Sequence, residues 1–144
     1  MEPEQKTFKL KVFHPGPGKL SEHTLFVEKG LHSTTRNVIW NTKFGFNDKI
    51  IEGRNEYFLS NAINDIRKTI EPEGFRLLVR CSDLDAAQSG MLSDMSAGTL
   101  MYKLRKTPGD TETNSYNVLD ESTVDEVATL EEQKNFRALY FNTN

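Results

Sequence analysis

The stretch Glu56–Arg80 constrains the fold of this chain more than any other. Tyr57, Leu59, Ala62, Ile63, Ile66 and Ile70 recur at spacings of two to four, which puts them on one stripe of a helix over Glu56–Glu71. Asn55 stands where its side-chain oxygen can take a free amide of the first turn. Pro72 and Gly74 end the helix, because proline lacks an amide proton and glycine accepts backbone conformations that other residues avoid. Phe75–Arg80 follows at once, and Leu77-Leu78-Val79 gives it the character of a central strand. A helix that turns tightly back into a strand has to bury its apolar stripe against a sheet.

The rest of the chain supplies that sheet. Thr7–Phe13 alternates, with Phe8, Leu10 and Val12 on one face, the period of a half-buried strand. His14-Pro15-Gly16-Pro17-Gly18 reverses it. Further β-like runs fall at Thr24–Glu28 and Arg36–Thr42, separated by Lys29-Gly30; Phe44 and Phe46 alternate around Gly45, and Ile50-Ile51 begins or ends another strand. Thr99–Lys106 alternates again, breaks at Thr107-Pro108-Gly109-Asp110, and pairs with Tyr116–Leu119. Thr129-Leu130-Glu131-Glu132 is a capping box that opens a C-terminal helix over about 130–140, with Leu130, Phe136, Leu139 and Tyr140 to dock it. Residues 1–6 have no apolar anchor and are expected to form a disordered tail, leaving 7–144 as a single domain. Two separated helices and a mainly antiparallel sheet make the expected fold α+β.

Composition narrows the partners. With 144 residues one core is expected. A net charge of −3 disfavours general binding of nucleic acid, since that affinity comes from neutralising phosphates. Lys103, Arg105 and Lys106 read as a solvated strand face beside a turn. No apolar run is long enough to span a bilayer, and Met1–Lys6 is polar and acidic, unlike a signal peptide. The lone Cys81 cannot form an internal disulfide and suits a reducing compartment. A soluble cytoplasmic protein is expected, with another protein as partner, no nucleic acid and no membrane.

Function, if it leaves a mark, leaves it between Cys81 and Gly98. This stretch carries three carboxylates, four serines and two glycines, and is too long for a tight hairpin. Met91, Leu92 and Met95 offer a structural use for it, as plugs for a core gap. Asp83, Asp85, Ser89 and Asp94 are its candidate catalytic residues, with the aspartates splitting acid and base roles if burial separates their pKa values. The commoner use of such aspartates is to cap turns. A calcium loop starting at Asp83 would put Asp85 and Asp94 at ligand positions, but it meets Ala87 where an oxygen donor belongs, Gln88 where a glycine belongs, and an aspartate, Asp94, in place of the closing glutamate. His14, His23 and His32 form no H-x-x-x-H pair, so no zinc site is expected. Ser89 has Ala87 where a nucleophile elbow has glycine, and no phosphate-binding glycine loop occurs, so no metal and no cofactor is expected. His14 reads as a surface turn residue, Cys81 as a small buried hydrophobe closing a strand, and Trp40 as either packing or a recognition anchor.

Ser89-Gly90-Met91-Leu92-Ser93-Asp94-Met95, followed by Gly98 and Tyr102-Lys103-Leu104, resembles a family of small uncharacterised bacterial proteins. In that family S-G-M-x-x-D-M precedes a glycine-rich step and a strand. The Thr129-x-Glu131-Glu132-Gln133 helix opening, with Phe136 after it, is similar to the same family's C-terminal end. The resemblance spans about Glu56 to Tyr140 and implies a shared fold without an activity. Ser96-Ala97-Gly98 replaces the family's run of glycines, which argues against a backbone anion nest there. The function expected from all of this is non-catalytic protein interaction, of an accessory or immunity-like kind. The alternative is a small hydrolase-like enzyme built on the acidic 83–94 loop.

Overall fold

The computed structural model describes residues 4–88, 96, 98–105 and 115–142. Its main sheet is an antiparallel meander of β1 (Glu4–His14), β2 (Lys19–Leu31), β3 (Val38–Phe46) and β4 (Lys49–Glu56), with the short β5 (Arg76–Leu77) added beyond β1. The strand order is β4-β3-β2-β1-β5, and α1 (Leu59–Ile70) packs against β3 and β4. A second sheet, in order β6-β7-β8, is built from Ala86–Ala87, Leu100–Lys103 and Ser115–Asn117, and α2 (Leu130–Asn142) closes the chain. The fold is α+β with a mainly antiparallel sheet, as the alternating strands and two helices predict. No helix among the described residues is long and apolar enough to cross a membrane.

Register explains the core. Phe8, Leu25, Phe44 and Ile51 lie side by side across four strands, on the face that also carries Leu10, Val27 and Trp40. Against this face α1 buries Leu59, Ala62, Ile63, Ile66 and Ile70, the stripe expected of it apart from Tyr57. Trp40 is therefore core packing. The helix lies directly on β4 at Gly53, where a Cβ would overlap the Ala62 carbonyl oxygen and crowd Thr42 Oγ1.

Several boundaries differ from the sequence reading, each for a local reason. β1 starts at Glu4 rather than Thr7, because β2 continues through Lys29-Gly30 and offers Val27–Lys29 as partners for Glu4–Lys6. Residues 1–3 lie outside the described set. β3 starts at Val38, not Arg36, since Arg36 takes a φ of 64° in the preceding turn. Asn47 and Asp48 both have positive φ, at 50° and 61°, the twist a two-residue hairpin needs, and this joins β3 to β4. α1 begins at Leu59 rather than Glu56: Tyr57, with φ of 95°, hands its amide to Val38 O at 2.8 Å and cannot be helical. Asn55 Oδ1 accepts from the Phe58 amide at 3.2 Å, so it caps the turn before the helix. Phe75–Arg80 is not a central strand. Arg76–Leu77 pairs with β1 at the sheet edge, Val79 makes a single antiparallel bridge to Glu121, and the chain then turns away at Arg80–Ser82.

Two substitutions test this packing. Ile63→Ala should cost about 2–5 kcal/mol, the range for emptying a buried site. Gly53→Ala should cost about 3 kcal/mol, the upper end of the range for overpacking, because a backbone carbonyl cannot move aside as a side chain does. Chemical denaturation that left either midpoint unchanged would place α1 elsewhere.

Candidate functional site

The chain enters the expected site through a 3-10 turn at Arg80–Ser82. The turn is pinned by bonds from the Arg80 amide to Asp120 O at 2.8 Å and from the Cys81 amide to Val118 O at 3.1 Å. Cys81 thus sits in a turn instead of closing a strand, though it is buried as expected. Burial pushes its thiol up to about 12, which leaves almost no thiolate near neutral pH.

Asp83 and Asp85 follow, both 1% exposed or less. Ser122 Oγ donates to Asp83 Oδ1, and Arg80 Nη1 donates to Oδ2 at 3.3 Å. Burial holds the Asp83 carboxyl above the usual carboxylate range, with the Ser122 and Arg80 bonds working against it. Asp85 Oδ2 accepts from the amide and the Nε of Arg105, each at 3.2 Å. Asp85 Oδ1 has no partner among the described residues. Each aspartate is thus matched to its own arginine, and neither is open to a substrate. Ser89 and Asp94, the other two candidates, lie outside the described residues, as do Met91 and Met95.

The basic residues are drawn into the same bonding. Lys103 Nζ stands 3.6 Å from Glu126, and Arg105 also approaches Glu126 at 3.9 Å; Arg105 stays exposed, as a solvated face requires, while Lys103 is largely covered. Lys106 lies outside the described residues. The histidines serve local structure. His14 is half-buried with its ring 4.4 Å from Phe75, more enclosed than a surface turn residue. His23 packs on Phe44 and Phe46, where burial lowers its pKa, and His32 Nδ1 accepts from the Thr34 and Thr35 amides. Among the described residues no three His, Cys, Asp or Glu side chains group to hold a metal ion.

What organises this region is a residue the sequence reading passed over. Arg67 is fully buried, and its guanidinium donates to Glu71 Oε2 at 2.7 Å, Gln133 Oε1 at 2.8 Å, Ala128 O at 2.8 Å and Asn64 Oδ1 at 3.2 Å. Gln133 Nε2 in turn donates to Cys81 O at 3.0 Å and Asp83 O at 2.6 Å. Glu71 Oε1 accepts from the Leu130 amide at 2.8 Å. The available signal was position: Arg67 lies four residues after Ile63 on the apolar stripe, with Glu71 four further on.

The start of α2 follows the capping box as expected. Glu132 Oε1 accepts from the Thr129 amide at 2.9 Å, and Thr129 Oγ1 accepts from the Glu132 amide at 3.1 Å. The docked stripe is Leu130, Gln133, Phe136 and Tyr140, with Gln133 the buried member, while Leu139 is 68% exposed on the far side. Between α1, β6 and α2 opens a polar cleft of about 300 Å³ whose lining includes Asn61, Asn64, Gln88 and Arg137.

Compared with known proteins, the chain matches no family model, and no curated protein shows significant similarity to it.

Two measurements probe the region. The Thr129 amide holds the Glu132 carboxyl below its ordinary value of 4.5. Its contribution is therefore complete above that value and is lost as pH falls through the lowered one. Thr129→Ala should cost on the order of 1 kcal/mol, and the gap in stability between wild type and Glu132→Gln should close on acidification. A gap independent of pH would refute the capping bond. Cys81 should resist iodoacetamide in the folded protein at neutral pH and react fully in denaturant; rapid labelling of the native chain would show that the turn is open.

Proposed function

We propose that this chain is a non-catalytic protein-interaction protein, of an accessory or immunity-like type, that works in a bacterial cytoplasm. The observation that carries the reading is the outer face of the main sheet, turned away from α1. It presents Phe26 at 54% exposure, Ile50 at 71% and Leu20 at 53%, with Phe13 paired to Leu20. Charged side chains of both signs, among them Lys9, Lys11, Glu22, Lys43 and Glu52, surround them on the same face. Apolar groups with charge around them on an open sheet face suit a protein surface of matching character, in which apolar contact supplies affinity and the charged rim supplies register.

The hydrolase-like alternative loses its support at Asp83 and Asp85, whose carboxylates are buried against Ser122, Arg80 and Arg105. A general acid or base has to come within hydrogen-bond reach of the substrate.

Affinity capture from the native cell with wild type and with Phe26→Glu tests the reading, because the Phe26 side chain points outward and its loss leaves the core intact. A stoichiometric partner is expected with wild type, lost on Phe26→Glu, and recovered when the complex is rebuilt from purified components. A partner held equally by both proteins, or by neither, overturns it.

A further inference from the structure

The cleft between α1, β6 and α2 has an uneven balance of hydrogen-bonding groups. Arg67 can only donate, so the 3.2 Å bond from its Nη1 fixes Asn64 with Oδ1 turned inward and leaves Asn64 Nδ2 without a partner among the described residues. Gln88 Nε2 donates to Asn61 Oδ1 at 3.0 Å and to Ser60 Oγ, and the Asn61 amino group has no partner among the described residues. Gln133 has no spare capacity of this kind, since its oxygen takes Arg67 and its amino group serves two carbonyls. Arg137 reaches the same cleft from α2, half-buried, with no ion pair or hydrogen bond among the described residues. No carboxylate is among the described residues that line the cleft.

We propose that this cleft binds a small oxyanion, a carboxylate or a phosphate ester, with Arg137 as its charge partner and the Asn61 and Asn64 amino groups as further donors. A half-buried guanidinium beside two unengaged amides is met by an acceptor-rich anion, and charge-assisted bonds of this kind are the stronger ones. A cation would face Arg137 with no carboxylate to balance it. A neutral sugar could use the amides but would leave the guanidinium charge unanswered. The volume of about 300 Å³ lies at the small end of ligand pockets and suits a metabolite rather than a peptide. Tyr102 and Phe141 add aromatic surface to the walls. This site is separate from the outer sheet face and does not depend on the interaction role proposed above.

Titration of the full ¹⁵N-labelled chain by NMR tests it, using inorganic phosphate and succinate as probes and glucose as the neutral control. Saturable shifts of the Asn61 and Asn64 side-chain amides and of Arg137 Nε–H are expected with at least one anion and not with glucose. Which anion saturates at lower concentration assigns the headgroup. Arg137→Met should weaken that binding at least about tenfold, the effect of losing one charge-assisted bond. Asn61→Asp, which sets a negative charge in the cleft while still accepting from Gln88, should abolish it. Each variant is read only where its backbone spectrum overlays that of wild type. Absence of saturation with both anions, an equal response to glucose, or unchanged affinity in a folded variant would overturn the proposal.

Discussion

The Arg67 guanidinium is the interaction on which the second half of this structure depends. Removing a full charge from water costs several kcal/mol unless its donors are met, and taking away one partner of a buried pair costs about 3–5 kcal/mol. Here the acceptors come from α1 itself, from the segment before α2 and from Gln133 on α2, which is 66 residues further along the chain. Asn64 and Glu71 are supplied locally, but the Gln133 and Ala128 acceptors are in place only once α2 has docked beside α1. The guanidinium thus acts as a register device: a helix docked one residue out of phase would strand a buried charge, a far larger penalty than a slipped apolar contact would bring.

How much of this was legible follows from what each signal depends on. The capping box at Thr129 was readable because its cause is local, two orphan amides and two side chains within four residues. The alternation of Thr7–Phe13 was readable for the same reason, since the side-chain period of a strand needs no partner. Asn47-Asp48 carried a two-residue hairpin signal that the aromatic alternation around Gly45 obscured. The length of β1 was not readable, because it depends on β2 running through Lys29-Gly30, and a glycine there does not by itself stop a strand. Arg67 and Gln133 were hidden by their chemistry. A polar residue on an apolar stripe is ordinarily assigned to the rim, and only acceptors distant in sequence make its burial possible.

The aspartates present the converse case. Asp83 and Asp85, in a serine-rich segment between hydrophobic runs, have the composition of an active-site loop. That composition is shared by any turn-rich segment that has to satisfy its own backbone. What separates the two cases is burial and the identity of the neighbours, and both are set by Ser122, Glu126 and Val127, a segment some forty residues later that folds over the turn. An aspartate beneath such a cover stabilises the arginine beside it; one in an open cleft would have kept its lone pairs for a substrate.

The same topology separates the two surfaces that remain available. α1 covers one face of the meander, so the other face stays bare, and its apolar side chains cannot be buried by any described element of the chain. The polar cleft lies on the helical side, where Arg67 holds Asn64 in the orientation that turns its amino group outward. The sheet stands between them. A partner on the bare face leaves the cleft open, and a ligand in the cleft touches α1, β6 and α2 without reaching the bare face. Coupling between the two would have to pass through the packing of α1 on β3 and β4, where Gly53 allows the Ala62 backbone to lie against the strand with no side chain between them to absorb a shift. A rigid contact of that kind transmits displacement instead of damping it.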